Sequence, residues 1–386
     1  MTEKTKKLKL LIATDNFLPR IDGISIFLSK MLPKLSEKYD VTVVAPNYGK
    51  FSAEDFNLVR IPLRKKGMGD YIPAKWAGNK VKKLVQKADL VFTQTIGSIG
   101  FPAIYYSNKF KVPVATFMHS VEWELIPMAT KTLSLRRILY PFTKIFARFI
   151  YKKSDLIFFP SDGIAEIASW ERIGNKKQIV NLGVDCDVFK PLKDFSEKDK
   201  KIVSQLQKEL DLEGKFVVGN HGRIAREKDL YTILRAFGWL QKKAPDARLL
   251  ILGEGVVEIE KKLRSIKGVI LPGAKSDVRY YLNLMDVYIT ASLTETTSLA
   301  TLEAMATGLP IISTPVGFIK EYIKDNVNGF FFSKRDAYGL FKSIDLIRNN
   351  KALARTMGER ARRTVENRFQ WSQTIKGILD GLESLE

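Results

Sequence analysis

The feature that most constrains this chain is one short pattern used ten times over: three to six mainly apolar residues, with segments of helical period between most of them. In the first half the apolar runs fall at 9–13 (KLLIA), 41–45 (VTVVA), 90–93 (LVFT), 112–117 (VPVATF) and 156–159 (LIFF), with helical segments such as 24–35 and 77–87 among them. Runs this short are strands, and strands apolar on both sides belong in a parallel sheet covered by helices on both faces. The pattern restarts at 216–220, 248–252, 269–271, 287–290 and 311–313, with helices such as 229–241 between. Two Rossmann-like domains are expected, 1–190 and 191–365, joined near the polar, proline-containing stretch 185–200 (DCDVFKPLKDFSEKDK).

With 386 residues, 45% of them hydrophobic, the chain can bury two ordinary cores. No run approaches the roughly 18 apolar residues of a membrane span, and Asp15 interrupts the first apolar stretch too early for a secretory signal, so a cytosolic location is the default. The single cysteine, Cys186, excludes an internal disulfide. With only His119 and His221 beside it, the usual soft ligands cannot assemble a zinc cluster. The net charge of +21 calls for a polyanionic partner: nucleic acid, an anionic membrane or a phosphorylated ligand. Residues 1–190 hold 31 Lys and Arg against 17 Asp and Glu, a net +14, so most of the excess lies in the first half.

Candidate chemistry gathers in the second half. In residues 294–317, TETTSLATLEAMATGLPIISTPVG, Glu295 falls in a strand-to-helix loop, and Glu303 lies about one and a half turns inside a helix closed by Gly308 and Pro310. Such loops sit at the carboxyl edge of a parallel sheet, where ligands bind and the helix N–H groups favour phosphate. An acid in the loop can reach a sugar, and one in the helix can bond a ribose diol. The alternative is a glutamate favoured by the helix dipole plus a solvated one. The earlier loop GNHGRIAREKDL aims Arg223, Arg226 and Lys228 at the same edge. Singly each is a surface charge. Together they suit a departing diphosphate, whose growing charge fixed cations stabilise without a metal.

These residues resemble a known family. The run Thr294-Glu295-Thr296 through Leu302-Glu303-Ala304, with Gly308 and Pro310, is similar to the glutamate-x7-glutamate signature of retaining glycosyltransferases of family 4. Gly222-Arg223 with Lys228-Asp229 resembles that family's donor-phosphate pair. The likeness extends through Pro19, Asp22-Gly23, His119, Asn181 to Asp185 with Phe189, and Phe369-Gln370-Trp371. It implies the GT-B fold, two facing Rossmann-like domains with parallel sheets and a cleft between them, the acceptor on the first and the nucleotide sugar on the second. Residues 366–386 would form a helix returning to the first domain. By the same resemblance Arg223 and Lys228 bind the diphosphate and Glu303 the ribose hydroxyls. Glu295 contacts the donor sugar, Gly23 lets backbone approach the diphosphate, and His119 lies on the reacting side. No metal or other cofactor is implied, and the departing phosphate itself helps deprotonate the acceptor. Thr296, Thr297 and Ser298 stand where the family often has glycine, and their hydroxyls can cap the helix and bond phosphate.

Two stretches of the first domain bear on the acceptor. Residues 132–153 place Leu135, Ile138, Leu139, Phe142, Phe146, Phe149 and Ile150 on one helical face, with Arg137, Lys144, Arg148 and Lys152 opposite and no acid. One reading is an interfacial helix on an anionic membrane. The other, favoured because the helix runs straight into the strand LIFF, is a helix packed on the sheet with its basic face outward. Residues 63–83 mix Met68, Tyr71 and Trp76 with lysine and arginine, as an interfacial loop does and as a solvated one also can. The expectation is an α-retaining transferase, peripheral on the cytosolic face of a membrane. It would move a hexose, glucose, from a UDP-sugar to a lipid, as diacylglycerol glycosyltransferases do. GDP-mannose-dependent transfer to a phospholipid or lipid-linked glycan, a soluble acceptor, and nucleotide-sugar epimerisation are the alternatives.

Other classes fail on particular residues. Gly253-Glu254-Gly255 lacks the third glycine of a dinucleotide fingerprint, since Glu258 stands there, and Ala274 separates Gly273 from Lys275 where a P-loop needs Gly-Lys. A nucleic-acid partner is not expected, because the basic residues are spread along the chain and no RNA-motif aromatic signature occurs.

Overall fold

Nine of the ten apolar runs become central strands and 269–271 becomes an edge strand; the strands that pattern missed are edges as well. The structure is a computed structural model describing residues 7–67, 71–128, 132–173, 176–295 and 297–386; Met68 and Thr296, singled out above, lie outside this set. The chain forms two compact units, Met1–Asn181 with Gln373–Glu386, and Leu182–Ser372.

In the first unit the strands are β1 (Lys9–Ala13), β2 (Asp40–Pro46), β3 (Asn57–Ile61), β4 (Leu90–Thr93), β5 (Val114–Phe117), β6 (Leu156–Phe159) and β7 (Lys176–Ile179). They form one parallel sheet in the order β3-β2-β1-β4-β5-β6-β7. The two end strands, NLVRI and KKQI, are half-buried or exposed along most of their length, so neither reads as an apolar run. β5 begins at Val114 rather than at 112. In the second unit β8 (Val217–His221), β9 (Arg248–Leu252), β10 (Val269–Ile270), β11 (Val287–Thr290), β12 (Ile311–Ser313) and β13 (Phe330–Phe331) line up as β10-β9-β8-β11-β12-β13, again parallel. Leu249 and Ile251 enter the core on one face of this sheet and Leu250 and Leu252 the core on the other, which is why the strand has no polar side.

Strand order reverses between β1 and β4 in the first sheet and between β8 and β11 in the second. These are the switch points at whose carboxyl ends α/β sheets bind ligands.

The second unit starts earlier than the composition of 185–200 suggested. Val184 N donates to Phe369 O at 2.9 Å, and Val184, Phe189 and Phe195 are buried in that unit's core. A polar, proline-bearing stretch is thus anchored by a few apolar residues. At the other end, helix Trp371–Glu383 brings the chain back to the first unit. Gln178 Nε2 donates to Gly377 O at 2.9 Å, Thr374 Oγ1 to Asn181 O at 2.8 Å, and Tyr39 Oη to Glu386 Oε1 at 2.6 Å. A Cβ on Gly381 would lie 2.3 Å from the Phe158 ring, so only glycine lets the helix seat at that point.

Candidate active site

At the second switch point, β8 ends at His221 and the chain passes through Gly222, at φ +135°, into Arg223. Positive φ is open to glycine and strained for other residues. The loop is stitched to its neighbour by Gly222 N to Leu252 O and Ile224 N to Glu254 O, both 2.9 Å. Gly253 must also lack a side chain, since its Cβ would meet Gly222 O at 1.9 Å. A short 3-10 turn, Arg226–Lys228, follows, and then helix Leu230–Lys243.

This turn presents Lys228 to Glu295, which follows β11; the two are in direct contact, and Glu295 Oε1 also accepts from Ser292 Oγ at 2.9 Å. Arg223 donates to Glu227 Oε1 at 2.8 Å, and Glu227's carbonyl takes Leu293 N at 2.7 Å, joining the two loops. Both cations of the expected clamp are therefore held by carboxylates, a charge-assisted arrangement that fixes long side chains. Arg226 instead pairs with Glu258 at the surface.

Helix Leu299–Ala306 opens with Ser298, whose Oγ accepts from Thr301 N at 3.4 Å and Thr301 Oγ1 at 2.9 Å. Ser298 thus spends its hydroxyl on the cap. Thr297 Oγ1, one residue earlier, is buried with no hydrogen-bond partner among the described residues, a state that costs roughly 1–3 kcal/mol unless a ligand or water fills it. Glu303 is buried in this helix with Oε2 3.2 Å from His221 Nε2. Burial holds the His221 imidazole down to about 4, against the pull of the Ala300 carbonyl and with the help of the Lys228 charge. Arg223, Lys228, Glu295, Thr297, Ser298 and Glu303 thus share one edge of one sheet.

The remaining expected residues belong to the first unit. Gly23 opens helix Gly23–Lys38 at the end of the β1 loop; Asp22 Oδ1 takes Ile24 N at 3.1 Å and Ser25 N at 3.0 Å, while nothing lies within 4 Å of a Cβ on Gly23. His119 follows β5. Its Nε2 is 2.8 Å from Oε1 of Gln94, which follows β4, and its ring stacks on Phe117 at 4.3 Å. Loss of solvation holds it down to about 3, so it is neutral at physiological pH.

Helix Leu133–Tyr151 corrects the packed-helix expectation. Leu135, Ile138, Phe142, Phe146 and Phe149 are exposed, as are Tyr140 and Ile145, whereas burial is confined to the C-terminal turns, at Ala147, Ile150 and Tyr151. Only its end reaches the core, and along its length the helix packs mainly against helix Glu122–Met128. Its Phe146 ring lies 5.4 Å from Phe101, which lies 5.6 Å from the exposed Trp76, so the two basic-aromatic stretches form one surface. Among the described residues no helix is long and apolar enough to cross a membrane.

The family described as "Glycosyl transferases group 1" matches residues 203–364, and that described as "Glycosyltransferase Family 4" matches residues 21–188. This chain belongs to the GT-B glycosyltransferases. It is 25% identical over 369 residues to an alpha-monoglucosyldiacylglycerol synthase of Acholeplasma laidlawii, covering 91% of this chain and 90% of that one. It is 23% identical over 343 residues to the enzyme of the same name in Streptococcus pneumoniae, covering 84% and 76%. Among solved structures it resembles HepE of Anabaena in complex with UDP and glucose, with a TM-score of 0.76 and 17% identity over 98% of this chain and 100% of that one, a likeness that speaks to fold.

Sequence reasoning missed Glu227, His221 and Gln94. For His221 and Gln94 the signal was a polar side chain at the carboxyl end of an apolar strand, and for Glu227 it was an acid between the cations Arg226 and Lys228. Phe101 was missed because it reads as one more apolar residue of helix Gly100–Phe110.

Proposed function

We propose that the protein transfers glucose from a UDP-sugar to a diacylglycerol-type lipid at an anionic membrane surface, with retention at the anomeric carbon. The observation that carries the lipid reading is the exposed stripe of helix Leu133–Tyr151, apolar along one side and flanked by Arg137, Arg148 and Lys152. Exposed apolar patches of this extent mark interaction sites, and juxtaposed cations select an anionic bilayer. The near full-length likeness to two alpha-monoglucosyldiacylglycerol synthases supports the same acceptor class and the hexose.

In this reading Arg223 and Lys228 exchange carboxylate partners for the diphosphate, and Glu303 receives the ribose hydroxyls. Thr297 Oγ1 and the N–H groups of its helix take phosphate oxygens. Glu295, brought beside the sugar by Ser292 and Lys228, stabilises charge near the anomeric carbon. Gly23 admits the diphosphate to the first unit's backbone, and neutral His119 bonds a sugar or acceptor hydroxyl. The bond from C1 to the diphosphate breaks, the bond from C1 to the acceptor oxygen forms on the same face, and the acceptor's proton leaves on the departing phosphate. The leaving charge meets arginine, lysine and helix N–H groups, so no metal is required.

The test is nucleoside diphosphate release from a panel of UDP-, GDP- and ADP-sugars, with and without anionic vesicles containing diacylglycerol. UDP release that needs the vesicles and yields a glycolipid is expected. Release onto soluble sugars alone would remove the lipid acceptor from this account.

A further inference from the structure

His221 sits at the carboxyl end of β8, at the switch point, and has no part in the chemistry above. Its carbonyl accepts from Tyr288 Oη at 3.2 Å, and its ring lies edge-on to Tyr288 with centroids 5.7 Å apart, so backbone and ring are both fixed by β11. Nε2 is 3.2 Å from Glu303 Oε2 and 3.2 Å from Ala300 O. Both neighbours are acceptors. A bare nitrogen lone pair would repel them, so Nε2 carries the proton and Nδ1 does not. The two side chains are each 9% exposed, so the contact is largely shielded from solvent.

We propose that His221 is a positioning residue: its Nε2–H holds the Glu303 carboxylate in the orientation that reads the nucleotide's ribose hydroxyls. This rests on the proposed role of Glu303 in donor binding. A lysine or arginine in the same place would neutralise the carboxylate and occupy several of its lone pairs. A neutral imidazole supplies one N–H, fixes the rotamer, and leaves the negative charge to accept from a diol. The neutral state is secured by burial and by Lys228 nearby, which together hold the ring down to about 4. Ala300 O, one turn before Glu303, completes the alignment by tying the same N–H to the helix backbone.

The test compares binding of UDP and 2′-deoxy-UDP by calorimetry in the wild-type protein, His221→Phe, His221→Gln and Glu303→Ala. Calorimetry needs neither acceptor nor turnover. His221→Phe keeps a ring of similar size and removes the donor; His221→Gln keeps an N–H. His221→Phe should reduce the preference for UDP over 2′-deoxy-UDP by about tenfold to a hundredfold, the value of one hydrogen bond to a charged group, with a smaller loss for 2′-deoxy-UDP, which keeps its 3′-hydroxyl. His221→Gln should recover most of that preference. Equal weakening of both nucleotides in His221→Phe, or an unchanged preference, would overturn the assignment while leaving Glu303 in place. If Phe proves unstable, a Gln variant that behaves like Glu303→Ala overturns it equally. An unchanged preference in Glu303→Ala, or no UDP binding to the wild-type protein, would remove the donor reading first and this assignment with it.

Discussion

Replacing Phe142, Ile145 and Phe149 together by serine should detach the protein from membranes without unfolding it. These residues are 67%, 68% and 55% exposed, so each has more than half of its surface still to bury. Full burial of such a side chain contributes roughly 1.5–3 kcal/mol, leaving about 1–2 kcal/mol apiece for a bilayer. Allowing for incomplete insertion, the three together supply about 3 kcal/mol, or about a hundredfold in partition. Replacing Arg137, Arg148 and Lys152 by glutamine should remove a similar amount, about 1 kcal/mol per cation, on anionic vesicles at low salt. Only the second effect should fade as salt rises. Co-sedimentation with phosphatidylglycerol and phosphatidylcholine vesicles at two ionic strengths separates the contributions, and thermal unfolding checks the fold, since exposed positions change stability by within about 0.5 kcal/mol. Serine-variant binding within twofold of wild type, with folding intact, would refute the membrane-facing assignment of this helix.

Lys228→Ala and Glu295→Gln should each lower the rate of transfer by about a hundredfold or more while leaving the unfolding midpoint nearly unchanged, because both lie in loops at the sheet edge; near-normal turnover in either would refute the clamp. Chelation should leave the rate within a factor of two, and a strict divalent-metal requirement would contradict a leaving group stabilised by Arg223 and Lys228. Burial pushes the Glu122 carboxyl up to about 7, against hydrogen bonds from Tyr151 and Ser120. Its folded value lies above the ordinary carboxylate value of about 4.3, so its contribution to stability is complete below that pH and is lost as pH rises through 7. Glu122→Gln should therefore gain roughly 2–3 kcal/mol on the wild type between pH 5 and pH 8, measured by denaturant unfolding at each pH. His119 and His221, held down to about 3 and about 4, act with the opposite sign. Their contribution is present above about 6.5 and is lost as pH falls toward 4, a decline that His221→Gln should make shallower.

The central strands were legible because burial on both faces leaves no alternative to apolar residues, as in LVFT and RLLIL. β3 and β7 were not, because an edge strand that meets solvent, as in KKQI, carries no periodic signal, and β13 was not, because it is only two residues long. Arg223, Lys228, Glu295 and Glu303 were legible as charged residues in strand-to-helix connections, where a parallel sheet collects ligands. His221 was not, because what it does depends on a distance of about 3 Å to Glu303, far away in sequence, and Glu227 was not, because its carbonyl joins a loop, at Leu293, that the sequence does not place beside it. Helix Leu133–Tyr151 shows the limit most plainly. Its amphipathic period is visible in the letters, yet a period does not say which partner covers the apolar side, and only the fold shows that most of it is uncovered.

The most direct test is the anomeric configuration of the lipid product. Purified protein would be incubated with UDP-glucose and phosphatidylglycerol vesicles containing diacylglycerol, and the glycolipid formed would be isolated and its glycosidic linkage read by proton NMR. An α-glucosyl lipid, formed only when vesicles are present, is the predicted result. A β-linked lipid would contradict the retaining reaction assigned to Arg223, Lys228 and Glu295, and UDP release with no lipid product would contradict the acceptor.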